Sequence, residues 1–286
     1  MFFKIVRDFM RLVILITSLI IMFIYCSNQI EEDLSMIDNS FIQDLKLVHT
    51  QKIYFGHQSV GKNIMQGLTD LISMQNEVEF PVVDLDATDS LPEYYFAHSR
   101  IGANTDPQGK CDAFAELIER NIAENLDIAL MKFCYVDIDE NTDVQALFDY
   151  YKDTAEKIRK KYPDMVLLHV TAPLMANSGG WKIKIKRLIN YQDYTDPANI
   201  KRNEFNNLIL ETYKNEPIFD LARVESTYPD GKRESFKNNG KTYYSLISDY
   251  TYDGGHLNEY GRQLVAKEFI HTLARVIRTA NFNGTN

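Results

Sequence analysis

The chain has 286 residues, of which 45% are hydrophobic and 25% charged, and its formal net charge at pH 7 is −9. This length and apolar fraction suffice for one large domain with a buried core, and they exclude a chain that is disordered throughout. The acidic balance argues against a nucleic-acid-binding protein, because such proteins usually present a basic surface to phosphate groups.

The N-terminal segment has the pattern of a secretion signal. A basic stretch with Lys4, Arg7 and Arg11 precedes a mostly apolar run over 12–25, and Cys26 ends that run. The run is shorter than the roughly 20 apolar residues that a membrane span needs. The pattern is similar to a bacterial lipoprotein signal, which predicts a protein exported to the cell envelope and lipid-anchored at Cys26. A plain secretory signal peptide and an uncleaved anchor are the alternatives.

Three segments are predicted along the chain: a signal over 1–26, a tether with a lead-in helix over 27–48, and one catalytic-type domain over 49–282. Within that domain, short apolar runs predict five strands, at 52–56, 79–87, 126–136, 164–173 and 216–224. Strands that are apolar almost throughout are typical of a parallel sheet that is covered on both faces.

Amphipathic stretches with helical spacing lie between these strands and after them, at 111–125, 144–162, 205–213 and 261–280. This order predicts a three-layer α/β/α sandwich around a mostly parallel, five-stranded sheet. Longer irregular segments lie at 88–110, 174–197 and 225–252. Because ligands bind at the carboxyl ends of parallel strands, we expect these segments to border a binding site.

Ser59 lies in the segment FGHQSVGKN, where the first predicted strand ends and a helix begins. A helix N-terminus offers free backbone N–H groups and the positive end of a dipole, and both would stabilise a developing oxyanion. Ser59 is therefore a candidate nucleophile. A serine at such a position is also a common turn or capping residue, so this motif alone leaves both interpretations open.

A second motif, YDGGHLNEYGR, precedes the last predicted helix. Its Asp253 and His256 are three residues apart with two glycines between them, which lets the carboxylate turn back onto one ring nitrogen. The other ring nitrogen can then face a nucleophile. The alternative is that Asp253 caps the helix and His256 is a surface residue.

A serine after the first strand and an Asp-x-x-His before the final helix together resemble the SGNH/GDSL hydrolase superfamily, over most of residues 50–280. The resemblance implies a serine ester hydrolase. It makes Ser59 the nucleophile, His256 the general base and then acid, and Asp253 the group that orients His256.

The family's oxyanion donors match this chain in part. RIGANTDP resembles the block that supplies a backbone N–H, which makes Gly102 a predicted donor beside the amide of Ser59. The asparagine expected after the third strand reads Val136 in the segment CYVD. Asn104, two residues after Gly102, is the predicted substitute; the alternative is that Asn104 only satisfies a turn.

Three further residues are predicted to contact substrate: His57, two residues before the nucleophile, and His98 and Arg100 in a loop near the cleft. Structural hydrogen bonds or solvated loop positions are the alternatives for these side chains. No pattern of metal ligands and no cofactor-binding motif is present in the sequence. Cys111 and Cys134 remain after the signal, and their pairing stays open.

Together with the N-terminal pattern, the resemblance implies an exported serine esterase that hydrolyses carboxylic esters, O-acetyl esters of glycans among them, through an acyl-enzyme on Ser59. Two alternatives stay open: a carbohydrate O-acyltransferase with the same triad, and a non-catalytic surface protein that binds glycans. The expected partner is a small-molecule or glycan ester. No nucleic-acid partner is expected, and membrane contact is expected only through the N-terminal anchor.

Overall fold

The computed structural model describes Thr17 and residues 37–88, 90–122, 126–177 and 195–282. The predicted signal apart from Thr17, the lipidation site Cys26 and the tether up to residue 36 lie outside the described residues. Within the described part of the chain, no helix combines the length and apolar character needed to cross a membrane.

Helices and strands alternate along most of the described chain. The α-helices are α1 (Asn39–Val48), α2 (Ser59–Ser73), α3 (Pro107–Leu117), α4 (Val144–Lys161), α5 (Thr195–Thr212), α6 (Leu221–Ser226) and α7 (Glu259–Phe282). The strands are β1 (Lys52–His57), β2 (Val82–Asp84), β3 (Tyr95–Arg100), β4 (Ile128–Met131), β5 (Val166–Val170), β6 (Ile218–Phe219), β7 (Ser235–Asn238) and β8 (Lys241–Tyr244). Shorter helical turns lie at Ile118–Ile122, Tyr135–Asp137 and Ser248–Tyr250.

The main sheet has the strand order β2-β3-β1-β4-β5-β6, and all its neighbouring strands are parallel. The predicted α/β/α sandwich with a parallel sheet is confirmed, but the sheet has six strands and not five. The additional strand is β3, which lies inside the segment 88–110 that the sequence indicates as irregular. Its second half, His98, Ser99 and Arg100, is polar, so the apolar pattern is too short to reveal a strand.

Two other boundaries differ from the sequence prediction. The predicted strand 216–224 is a two-residue β6 followed by α6, because the Asp220 side chain accepts a hydrogen bond from the Arg223 N–H and caps a helix there. The predicted irregular segment 225–252 contains the antiparallel hairpin of β7 and β8.

Alternate side chains of β1 enter two different cores, as expected for a sheet covered on both faces. Ile53 and Phe55 join the core that contains residues of α1, α2 and α7. Tyr54 joins the core that contains residues of α3, α4 and α5, where its ring stacks on Phe114 at 6.0 Å. Burying each such large side chain contributes about 1.5–3 kcal/mol.

Helices α2 and α7 approach each other closely enough to exclude a side chain at Gly67. A Cβ atom at this position would lie 2.2 Å from the backbone oxygen of Arg262. The Arg262 Nε also donates to Asp70 Oδ2 at 2.6 Å, which ties the same two helices together. These contacts join the second half of α2 to the first turn of α7, and Ser59 and His256 precede them on the two segments.

Candidate active site

Ser59 is the first residue of α2 and follows the carboxyl end of β1. Gln58 occupies the N-cap position in an extended conformation, and its side chain makes no capping hydrogen bond, so the first amides of α2 receive no cap from it. Gly61 allows the tight first turn, because a Cβ atom there would lie 2.2 Å from His57 Cβ.

Strand β3 brings Gly102 to the side of this turn. Its register with β1 places Arg100 opposite His57, and the Ile101 N–H donates to the His57 carbonyl at 3.0 Å. The Gln58 Nε2 donates to the carbonyls of both Ile101 and Gly102 at 2.8 Å. Gly102 has a φ of 54°, a left-handed conformation that favours glycine. Gln58 thus fastens the Gly102 segment to the residue that precedes Ser59.

A buried ion pair organises the next part of the site. The Lys110 Nζ lies 2.5 Å from Asp137 Oδ2, and both side chains are fully buried. Asp137 also accepts the backbone N–H groups of Thr105 at 2.9 Å and Cys134 at 2.6 Å, while Lys110 donates to Asn104 Oδ1 at 3.1 Å. Asp137 and Lys110 therefore join the Gly102–Thr105 loop to the segment after β4, a role that sequence patterns did not reveal.

The segment after β4 supports the histidine by an aromatic ring. The hydroxyl of Tyr135 lies 3.4 Å from His256 Nδ1, and the two rings meet edge to face with centroids 5.5 Å apart. Gly255 leaves room for this ring, because a Cβ there would lie 2.7 Å from two Tyr135 ring atoms. Val136, at the position where the resemblance predicts an asparagine, is next in this segment and offers no side-chain donor.

Asp253 fixes the orientation of His256. Its Oδ2 lies 2.6 Å from His256 Nδ1, and its Oδ1 accepts the backbone N–H groups of His256 at 2.8 Å and Gly255 at 3.0 Å. Burial opposes ionisation of Asp253, but these hydrogen bonds outweigh it and lower its pKa to about 2. An ionised carboxylate only accepts hydrogen bonds, so Nδ1 carries the hydrogen and Nε2 is left to act as a base.

Ser59 and His256 line the same cavity of about 340 Å³ at the carboxyl edge of the sheet. The Ser59 hydroxyl contacts the Cys134 Sγ at 3.9 Å. Among the described residues, no direct hydrogen bond joins Ser59 to His256. Such catalytic bonds are often long before substrate binds. The Asn63 Oδ1 accepts the Leu257 N–H at 3.3 Å and links α2 to the histidine loop.

Of the three residues predicted to contact substrate, Arg100 lines this cavity, whereas His57 and His98 are not among its lining residues. His57 is 2% exposed, and its Nε2 lies 3.1 Å from His98 Nδ1. Burial, together with the neighbouring His98, lowers the pKa of His57 to about 3. The pair is therefore neutral at pH 7 and packs beneath the site between β1 and β3.

Cys111 and Cys134 are both buried and carry free thiols in this structure. Among the residues that the structure describes, no group of three or more histidine, cysteine, aspartate or glutamate side chains is placed to hold a metal ion.

The fold and the site define an α/β/α sandwich with a candidate serine–histidine–aspartate centre at the carboxyl edge of its sheet. No protein-family model and no curated protein matches the chain. Solved structures that match include a lipase/acylhydrolase from Enterococcus faecalis, with 16% identity and a TM-score of 0.46, covering 79% of this chain and 96% of that one.

Two further matches have similar statistics. A protein assigned to the G-D-S-L lipolytic family from Desulfitobacterium hafniense is 11% identical, with a TM-score of 0.44 and coverage of 78% of this chain and 99% of that one. An acetyl xylan esterase is 18% identical, with a TM-score of 0.43 and coverage of 76% and 97%. These values describe a distant likeness of fold alone, and the matched structures include the family that the sequence motifs resemble.

Proposed function

We propose that this protein is a serine hydrolase that cleaves carboxylic esters. Ser59 is the nucleophile, His256 is the general base and then the general acid, and Asp253 orients the imidazole. The observation that carries the proposal is the cavity that Ser59 and His256 line together, with His256 Nδ1 held by Asp253 at 2.6 Å. Two motifs from opposite ends of the domain both contribute to this cavity, which supports the proposed triad roles.

In the first step, His256 Nε2 takes the proton of the Ser59 hydroxyl while its oxygen attacks the ester carbonyl. The carbonyl oxygen becomes an oxyanion, which the backbone N–H groups of Ser59 and Gly102 stabilise. Asn104 is the proposed third donor. Its side-chain oxygen accepts a hydrogen bond from Lys110, an arrangement that leaves the two N–H bonds of its amide group for other acceptors.

In the second step, the bond between the carbonyl carbon and the alcohol oxygen breaks, and His256 donates its proton to the departing alcohol. An acyl-enzyme on Ser59 remains. Water then loses a proton to His256, attacks the acyl carbon and releases the carboxylic acid, while Ser59 recovers its proton.

The finer assignment is an O-acetyl ester carried by a glycan, cleaved by an exported protein that is lipid-anchored at Cys26. Export and anchoring rest on the N-terminal sequence pattern. The aromatic rim of the cavity is compatible with a sugar: Tyr252 is 69% exposed, and its ring lies nearly parallel to that of His256, with 6.0 Å between centroids.

Labelling with a fluorophosphonate probe tests the proposed chemistry, because the probe reacts with activated serines and requires no knowledge of the substrate. The wild-type protein should be labelled and Ser59→Ala should not. Ser235→Ala, which changes an exposed serine in β7, is the matched control and should label like wild type. Labelling that persists in Ser59→Ala would assign the reactive group elsewhere.

A non-catalytic glycan-binding protein is the second candidate. One observation favours it: the Ser59 hydroxyl contacts Cys134 at 3.9 Å, and Val136 offers no side-chain donor near it. A folded wild-type sample that resists the probe and still binds an acetylated glycan would support this candidate over the hydrolase.

A further inference from the structure

The cavity at Ser59 carries positive charge in a protein whose net charge is −9. Besides His256, its basic lining residues are Lys62 and Arg100; the other lining residues are Gln58, Ser59, Asn63, Gln66 and Tyr252. None of the described residues that line it is an aspartate or a glutamate. The charged side chains Lys62 and Arg100 therefore have the opposite sign to the whole chain, while the Asp253 carboxylate is bonded to His256.

The two cations stand on different elements on either side of Ser59. Lys62 lies one helical turn after Ser59 on α2, where its backbone N–H donates to the Gln58 carbonyl at 3.0 Å. Arg100 ends β3 directly opposite His57 in the β1–β3 register. Backbone geometry thus fixes the base of both side chains beside the nucleophile.

Neither cation is neutralised by a carboxylate in the described part of the chain. The nearby Asp86 accepts the backbone N–H of Arg100 at 3.1 Å and forms no ion pair with its guanidinium group. Asp70 is engaged by Arg262 and by the amide of Gln66. Two cationic side chains without ion-pair partners among the described residues line one cavity, and their electrostatic potential attracts an incoming anion.

We infer that the substrate carries an anionic group, a carboxylate, close to its ester, and that Lys62 and Arg100 bind this group. The inference rests on the proposed ester hydrolase for its catalytic test, and it names a class of substrate within that function: esters of acidic glycans or of other carboxylate-bearing alcohols. Arginine suits this role because its planar donors match the two oxygens of a carboxylate, while lysine contributes a point charge.

Two esters that differ in one charge test the inference: para-acetoxybenzoate and its neutral methyl ester. The wild-type enzyme should hydrolyse the anionic ester with the higher kcat/KM. The ratio of kcat/KM for the anionic ester to kcat/KM for the neutral ester should fall about tenfold in Lys62→Met and about tenfold in Arg100→Met. Most of this fall should come from a higher KM for the anionic ester, as expected for the loss of a hydrogen bond to a charged group. Lys241→Met removes an exposed lysine in β8 and should keep the wild-type ratio.

Salt and binding measurements complete the test. The preference for the anionic ester should shrink when ionic strength is raised, because salt screens exposed charges. Titration of Ser59→Ala with both compounds measures binding without turnover, and tighter binding of the anion should be lost when Lys62 and Arg100 are both replaced by methionine. Equal binding of the two esters overturns the inference, even when hydrolysis is confirmed. If the anion binds more tightly only when Lys62 and Arg100 are present, but is not hydrolysed, the inference is supported. Only the proposed hydrolase activity is then contradicted.

Discussion

Asp253 holds the His256 ring with one carboxylate oxygen and the His256 backbone with the other. We expect Asp253→Asn to lower kcat/KM by about 10³–10⁴-fold, because an amide group facing Nδ1 favours the wrong tautomer of the imidazole. The melting temperature should change little, since the Asp253 side chain is 42% exposed. Steady-state kinetics on a neutral acetate ester, with circular dichroism melting, measure both quantities.

The matched control for this prediction is Asp249→Asn, which makes the same chemical change at an exposed position of the preceding loop. Its activity should stay near wild type. A similar loss in both variants would mean that charge in this loop, and not the bond to His256, governs the rate.

In the proposed reaction, Gln58 is expected to act through Gly102 as a positioning residue. Its side-chain amide joins the carbonyls of Ile101 and Gly102 to the turn that carries Ser59. Gln58→Leu keeps the size of the side chain and removes both donors. We expect kcat to fall about 10²-fold, the cost of a misplaced oxyanion donor, with a much smaller change in KM.

Gln145→Leu, which alters an exposed amide on α4, is the matched control. A rise in KM with unchanged kcat in Gln58→Leu would contradict the positioning role and would indicate direct contact with substrate. A large loss of stability together with activity would point to a purely structural role.

At the scale of elements, apolar runs located five strands and amphipathic spacing located the long helices α4 and α7, because burial on both sheet faces leaves a strong pattern. Strand β3 escaped detection. Its last residues turn polar where they approach the site, and hydrogen bonds to β1 and β2, which sequence patterns do not reveal, hold it in the sheet. Elements whose function demands polar residues are therefore the ones that hydrophobic patterning locates least well.

Some residues of the candidate site can be predicted from the sequence, and others cannot. The motifs around Ser59 and His256 were visible because each joins reactive residues to a turn before a helix. The Lys110–Asp137 pair was not, because its members lie 27 residues apart and neither belongs to a local motif. The contact between Tyr135 and His256 spans 121 residues and depends on how two loops pack. Such contacts follow from the fold and leave no periodic signal.

Close packing of α2 against α7 predicts an unusual cost for a small substitution at Gly67. In an exposed helix, glycine to alanine stabilises by up to about 1 kcal/mol. Here the new Cβ would lie 2.2 Å from the Arg262 carbonyl oxygen, and backbone atoms relax less readily than side chains. We expect Gly67→Ala to lower the free energy of unfolding by about 1–3 kcal/mol, measured by urea denaturation.

If α7 shifts to relieve this contact, the histidine loop that precedes it moves away from Ser59. Activity should therefore fall together with stability in Gly67→Ala. Ser73→Ala, at an exposed position of the same helix, controls for general effects of substitution in α2. A gain in stability for Gly67→Ala would show that helix propensity outweighs the close contact.

For the whole molecule, the net charge of −9 repels anions at long range, yet the proposed substrate is anionic. The two effects act over different distances. At physiological ionic strength, exposed charges are screened beyond about 8 Å, so the distributed negative charge weakens before a ligand reaches the surface. Lys62 and Arg100 act within the cavity itself, and their local potential decides binding there.

Buried ionisable groups set how the stability of the whole molecule depends on pH, and they act in opposite directions. Burial lowers the pKa of His57 to about 3, and burial raises the pKa of Glu225 to about 8. The histidine costs stability as pH falls below about 6.5, because only the unfolded chain then takes up the proton. The glutamate costs stability as pH rises from about 4.5 to about 8, because the unfolded chain loses its proton first. A single variant compared with wild type is needed to isolate one group.

His169 offers that comparison. It is fully buried, stacks on Tyr213 at 3.6 Å between ring centroids, and bonds to Tyr151 at 2.7 Å and Glu216 at 3.2 Å. Burial lowers its pKa to about 4, although Glu216 favours the charged form and Arg159 opposes it. His169→Gln removes this titration and leaves the others in place. Because the wild-type protein alone loses stability through His169 as pH falls, the destabilisation caused by the variant should shrink by about 2 kcal/mol between pH 7 and pH 5. Urea denaturation of both proteins at the two pH values measures the difference, and a gap that is the same at both would mean that His169 keeps an ordinary pKa in the folded protein.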